Sequence, residues 1–409
     1  MSRRVLALIA VVAIVVIVGG PTLLDRTPLR DVDGIALPSL DIGLPSLGAS
    51  EDPNGEPTPR ATPIPVPGHE VYGFVPYWEM DATIADHLAA TDLTTIGLFS
   101  VTHRKNGSLS TGENGYKRIT GPIGRRILAD ARDRGARTEL VYTSFGAAKN
   151  DAFFTNSDAR DRTIGELVAL AGDLGVDGID VDVEQLGIQH IPAYGEFVGR
   201  LRAALREANP SAQVSVATTA NQRGSAMALA ASLAGADRIF MMGYDYRVGG
   251  SEPGASAPLA RRDGSGKTLS WSLDLYRDAG VPPERTILGL PLYGVVWPVA
   301  GPEIGAPATG QGEVWVPRRN LAALAAPSAA PVYDTIEDVE MLAVPDGAGW
   351  QAVYYDTPQS LVPKLGLADA RGLAGAGFWA VGYERGLPEY TSLIAKFHAG
   401  KLDEAAAAP

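Results

Sequence analysis

Three acids occupy alternate positions of one short run, Gly178-Ile179-Asp180-Val181-Asp182-Val183-Glu184. In a β-strand successive side chains point to opposite faces, so Asp180, Asp182 and Glu184 share one face and Ile179, Val181 and Val183 the other. The β-branched face suits packing under a layer of helices. The acids then form a column with steps of roughly 6–7 Å, close enough that they cannot all ionise without strong repulsion. At least one is expected to keep its proton at neutral pH. A protonated carboxyl beside ionised neighbours is what general-acid catalysis requires. Two other arrangements share this alternation: an acidic edge strand facing solvent, and a carboxylate cluster for Mg²⁺ or Ca²⁺.

What positions such a strand is read from the pattern around it. Short apolar runs recur at Val71–Trp78, Thr94–Val101, Arg137–Ser144, Gly178–Glu184, Gln213–Thr219, Arg238–Tyr244, Thr286–Leu292 and Gly375–Val381. Amphipathic stretches such as Ile123–Arg134, Thr163–Leu174 and Tyr194–Asn209 lie between them. Strands alternating with helices imply right-handed crossovers and a parallel sheet. Eight units over this length predict an α/β TIM (β/α)8 barrel. A doubly wound open sheet fits less well, because no Gly-x-Gly-x-x-Gly follows the first strand. The long gap before the last strand holds Trp315, Tyr333, Trp350, Tyr354 and Tyr355. A structureless loop of that length is implausible, so a small α+β insertion is expected between strands 7 and 8, at about residues 296–356. The barrel domain is placed at residues 69–398, and residues 399–409 are expected to be a frayed tail.

The 409 residues carry a formal charge of −12 and no cysteine. The charge argues against nucleic acid as a partner, and the missing thiols exclude disulfides, zinc ribbons and cysteine nucleophiles. The five histidines are scattered, with no His-Glu-x-x-His pair, so no metal and no cofactor is expected. Gly264-Ser265-Gly266-Lys267-Thr268 imitates the end of a phosphate loop, but the first required glycine would fall on Arg261. At the amino end Arg3-Arg4 precede an apolar run from Val5 to Val18, the pattern of an export segment or membrane anchor over residues 1–24. Residues 25–68 hold nine of the thirty prolines and no aromatic residue, a composition that predicts an extended linker. An extracytoplasmic location, anchored or secreted, and a monomeric state are the resulting expectations.

Asp177-Gly178-Ile179-Asp180-Val181-Asp182-Val183-Glu184 matches position for position the Asp-Gly-x-Asp-x-Asp-x-Glu signature of glycoside hydrolase family 18, the chitinase family. Met242-Gly243-Tyr244-Asp245 resembles that family's sixth-strand Met-x-Tyr-Asp, and Gly289-Leu290-Pro291-Leu292-Tyr293-Gly294 its seventh-strand motif. Gly377-Phe378-Trp379 is similar to its eighth strand, whose Trp floors the sugar site. Two departures stand out. Ser144-Phe145-Gly146-Ala147 is an imperfect Ser-x-Gly-Gly, and Phe74 falls where many members carry Tyr.

The resemblance implies a retaining, substrate-assisted mechanism, an exception to the two-carboxylate scheme. By similarity Glu184 protonates the glycosidic oxygen, and Asp182 orients the substrate's acetamido group as it forms an oxazolinium. Asp180 shares a proton with Asp182, and Tyr244 donates to the acetamido oxygen. Asp245, Trp379, Met242, Trp78 and Tyr293 are the expected substrate-binding residues. The implied substrate is a β-linked N-acetylglucosamine glycan, chitin-type or from a cell wall. A non-catalytic, lectin-like barrel is the alternative; such relatives usually lose the acid at the position of Glu184.

Overall fold

The computed structural model describes residues 68–326 and 330–406. The expected anchor and linker, residues 1–67, lie outside the described residues. Thirteen strands are formed: β1 (Glu70–Pro76), β2 (Thr95–Thr102), β3 (Arg137–Phe145), β4 (Gly178–Glu184), β5 (Gln213–Thr219), β6 (Arg238–Met242), β7 (Thr286–Pro291), β8 (Gly294–Val299), β9 (Glu313–Trp315), β10 (Val332–Asp334), β11 (Val339–Asp346), β12 (Gly349–Tyr355) and β13 (Gly375–Trp379). β1 to β7 and β13 close into an all-parallel barrel in sequence order. β8 to β12 form a separate antiparallel sheet between the seventh and eighth barrel strands. The barrel and its insertion stand where the sequence pattern places them.

Helices cross back outside the barrel: α1 (Ile84–Ala90), α2 (Asn114–Thr120), α3 (Pro122–Asp133), α4 (Ala147–Phe154), α5 (Ser157–Leu174), α6 (Ile191–Ala208), α7 (Gln222–Leu233) and α8 (Leu269–Ala279). The short α9 (Leu321–Leu324) belongs to the insertion, and α10 (Pro358–Ala370) and α11 (Pro388–His398) complete the ring. Four of these helices start on side chains that accept orphan N–H groups. Asn156, Asn221 and Thr268 cap α5, α7 and α8, and Thr357 with Ser360 forms a capping box on α10. Ile179, Val181 and Val183 are buried between β4 and the helices, the outward face that their alternation predicts.

The lumen has its own apolar cluster: Tyr72, Phe74, Phe99, Val141, Ala217, Phe240, Met242 and Ile287. Phe240 fits because two glycines lie side by side, Gly289 on β7 opposite Gly377 on β13. A Cβ at Gly289 would stand 2.3 Å from Phe240 Cε1, and one at Gly377 2.5 Å from Phe240 Cε2. Crowding of this kind costs about 1–3 kcal/mol. Gly289→Ala is therefore expected to lower the urea unfolding midpoint by the equivalent of about 1–3 kcal/mol at unchanged slope; an unchanged midpoint would show that the ring moves aside freely.

Candidate active site

The lumen of a parallel barrel opens at the carboxyl ends of its strands, where loops can be varied without touching the core. β4 delivers its acids toward that end in three steps. Asp180 is fully buried beside Ser215 and Val141, Asp182 is buried beside Ala217 and Thr143, and Glu184 is half-buried beside Phe145. Both carboxyl oxygens of Asp180 and Oδ1 of Asp182 lie buried with no hydrogen-bond partner among the described residues. An ionised carboxylate left so would be very costly. Burial, then the field of Glu139, pushes the Asp180 carboxyl well above the usual carboxylate range. Burial, then Glu184 and Asp180, does the same to Asp182. Burial and mutual repulsion thus hold the column back from full ionisation, and a solvent-facing acidic edge strand is excluded.

Glu139 on β3 adds a fourth acid at the base of the column. It accepts from the Tyr72 hydroxyl at 2.9 Å and from Ser215 Oγ at 2.7 and 2.9 Å, and burial raises its pKa. A buried acid on a strand with no alternating acidic pattern leaves no signature, and sequence reasoning missed it. Among the described residues no group of three or more His, Asp or Glu side chains is arranged to hold a metal ion.

Tyr244 and Asp245 leave the end of β6 together. Burial, followed by Asp182, Asp245, Glu184 and Asp180 in that order, raises the Tyr244 phenol well above its ordinary value, so it keeps its proton and can donate it into a hydrogen bond. Asp245 turns outward through a left-handed backbone, φ 62°. Its carboxylate accepts from the Tyr293 hydroxyl, and its N–H donates to Ser256 Oγ at 3.0 Å. Gln185, directly after Glu184, has φ 61°. Only three non-glycine residues among those described have positive φ, and two of them flank this site. Backbone strain is concentrated where side chains are aimed.

Aromatic rings line the mouth. Trp379 ends β13 with its ring 4.7 Å from Phe99 and 5.8 Å from Phe74. Trp78 is 42% exposed, the most open large aromatic side chain of the barrel. It lies on the 3-10 turn Tyr77–Glu79 that follows β1 rather than on the strand, and its indole N–H donates to the Tyr383 hydroxyl at 3.1 Å. Met242 packs inside the lumen and Tyr293 is buried beneath Asp245. All nine residues singled out in the sequence therefore belong to the lumen or its mouth. The other tryptophans do not: Trp297, Trp315 and Trp350 pack within the insertion and Trp271 sits on α8.

Ser144 points away from the lumen, fully buried, and donates to Asn150 Oδ1 at 2.6 Å. Thr143 is the inward residue at that level, facing Asp182 across the β3–β4 register. Ser256 and Asn150 sit in a loop and a first helical turn, where nothing in residue spacing marks them.

With this geometry in place, comparison with known proteins gives the family. The model of the Glycosyl hydrolases family 18 matches residues 70–384, and the chain belongs to that family. Nod factor hydrolase protein 1 of Medicago truncatula is 27% identical over 311 residues, 68% of this chain and 73% of that protein. The oviduct-specific glycoprotein of Ovis aries is 26% identical over 204 residues, 44% of this chain but only 36% of its own length. Among solved structures, the chitinase of Cycas revoluta in complex with (GlcNAc)3 superposes with a TM-score of 0.65 at 21% identity, over 82% of this chain and 99% of that one, a likeness of fold. Family membership places the chain among glycoside hydrolases.

The buried acids tie stability to pH. Unfolded, Asp180 ionises near the ordinary value of about 3.9; folded, it holds its proton to higher pH. The native state therefore loses stability relative to the unfolded chain as pH rises through that range. Asn cannot ionise, so Asp180→Asn is expected to raise Tm at pH 7, by about 2 °C or more, with the gain vanishing near pH 3. Equal Tm values for the two proteins at both pH values would show that Asp180 is not held neutral.

Proposed function

We propose that the chain is a retaining glycosidase that cleaves β-linked N-acetylglucosamine glycans, chitin-type or cell-wall, with the substrate's own acetamido group as nucleophile. The observation that carries this reading is the acid column, graded from a fully buried Asp180 to a half-buried Glu184 at the mouth. A general acid must reach the substrate, while its partners need only set its protonation and orient the nucleophile. Depth along one strand supplies that division.

In this reading Glu184 gives its proton to the glycosidic oxygen as the bond to the anomeric carbon breaks. The acetamido carbonyl oxygen closes on that carbon from the opposite face, forming an oxazolinium ion. Asp182 accepts from the acetamido N–H and stabilises the positive charge that develops there. Tyr244, kept protonated among carboxylates, donates to the acetamido oxygen and holds it in line. Water, deprotonated by Glu184, then opens the oxazolinium, and two inversions return the original configuration. Trp379 provides the apolar floor for the ring and Trp78 an exposed platform at the rim. Asp245, anchored by Tyr293 and Ser256, is placed to meet sugar hydroxyls. The N-acetylglucosamine trimer in the Cycas revoluta complex supports the same class of sugar.

The localisation we propose is extracytoplasmic, resting on the basic and apolar amino end. Among the described residues no helix is long and apolar enough to cross a membrane.

The test is hydrolysis of the N-acetylglucosamine tetramer by the full chain, with the anomer first formed read by NMR. Wild type is expected to release the β-anomer, and Glu184→Gln to lose about 10²–10⁴-fold in kcat. An oligosaccharide whose acetamido groups are replaced by amines should not turn over. Tight binding of chitooligosaccharide without turnover would instead establish the non-catalytic, lectin-like reading.

A further inference from the structure

One buried polar side chain that touches the backbone of Glu184 has no part in the catalytic reading. Asn150, on the first turn of α4, is fully buried. Its Oδ1 accepts from Ser144 Oγ at 2.6 Å, which fixes which way the amide faces, and its Nδ2 donates to the backbone carbonyl of Glu184 at 2.5 Å. That carbonyl belongs to the last residue of β4, where the β3–β4 pairing ends at Phe145 opposite Glu184. The next residue, Gln185, takes the left-handed backbone. Asn150 thus supplies a hydrogen bond at the point where the ladder stops and the chain turns away.

The helix that carries this amide is itself tied down on both sides. Lys149 Nζ donates to Thr102 Oγ1 on β2 at 2.6 Å, and Asp151 pairs with His190 Nε2 at 2.7 Å. Three successive residues of α4 therefore span β2, the end of β4 and the turn before α6. A strand end fixed only by its own ladder frays, and a carboxyl carried on it wanders by a fraction of an ångström or more. Reaction rates fall steeply with such misplacement, about 10²-fold for 1 Å.

We infer that Asn150 is a positioning residue for the general acid: by holding the Glu184 carbonyl it fixes the Glu184–Gln185 turn and with it the direction in which the Glu184 carboxyl meets the glycosidic oxygen. The inference rests on the assignment of Glu184 as the acid. It makes a demand that a merely structural amide would not. Protonation matters when the leaving group is a sugar alkoxide and hardly at all when it is an acidic phenol. Loss of Asn150 must therefore fall selectively on poor leaving groups.

The experiment compares the full chain, Asn150→Asp, Asn150→Ala, Ser144→Ala and Glu184→Gln on two substrates. One is the N-acetylglucosamine tetramer and the other the 2,4-dinitrophenyl glycoside of N,N′-diacetylchitobiose. Asn150→Asp keeps the shape and the Ser144 bond but turns the donor into an acceptor. It should lower kcat/KM on the tetramer, which reports the steps up to departure of the leaving group, about tenfold or more, and leave kcat/KM for dinitrophenyl release within about threefold of wild type. Asn150→Ala should follow it, and Ser144→Ala should show the same selectivity in smaller degree. An equal loss on both substrates would overturn the proposal. If the Asn150 variants do not fold, Ser144→Ala decides alone, and a non-selective loss there is equally fatal. Glu184→Gln separates the two readings. Should it show no leaving-group selectivity, or should wild type cleave neither substrate, the assignment of the acid fails and this inference falls with it; a selective Glu184→Gln beside a non-selective Asn150→Asp overturns only the role of Asn150.

Discussion

Water is kept out of the lower lumen of this barrel while acids are kept in, and most of the structure can be derived from that opposition. Glu139, Asp180 and Asp182 are all at most 5% exposed, with aromatic and branched side chains of six strands around them. In so dry a place each carboxylate suffers both the loss of hydration and the repulsion of the next. The structure resolves the conflict by depth. Glu139 receives three hydrogen bonds from hydroxyls, Asp180 receives none among the described residues, and Glu184 reaches the mouth. The apolar packing that makes the lumen dry, with Phe240 seated on the paired Gly289 and Gly377, is therefore part of the electrostatics. Loosening it would admit water and let the acids ionise independently.

The insertion answers a second constraint, that the loop after β6 must be stiff although it is long. Glu337 of the insertion is 1% exposed and accepts from the backbone N–H groups of Ala255 and Arg262 and from the Arg247 guanidinium. Asp334 holds the Arg262 side chain at 2.6 Å. Ser256, next to Ala255, accepts from the N–H of Asp245. A buried carboxylate thus fastens the loop that presents Asp245, while Tyr293, the residue before β8, holds the Asp245 side chain itself. Buried charges paired in this way contribute little net stability but fix one geometry. The insertion thus braces the mouth.

How much of this could be read beforehand follows from the range of each interaction along the chain. The acid column was legible because its period of two is local, and alternating carboxylates have few structural reasons to exist. The barrel was legible because eight strand-and-helix units repeat. Trp78 was placed one element too early, on β1, since the 3-10 turn that follows the strand is set by what it packs against. Glu139, Asn150 and Ser256 act on strands and loops 11 to 76 residues away, so no local pattern marks them.

Phe74 shows how these levels combine. It places an apolar ring in the lumen, packed 4.7 Å from Tyr72 and 4.8 Å from Phe240. The phenol nearest in sequence on the same face is Tyr72, two residues earlier, and its hydroxyl is committed to Glu139. Asp180 is left among groups that cannot stabilise its charge, with Glu139 below it and Asp182 above it on the same wall of the lumen. Burial keeps Asp180 protonated to higher pH, while hydroxyls satisfy Glu139 in its lower position. A phenylalanine at position 74 is thus compatible with the acid column.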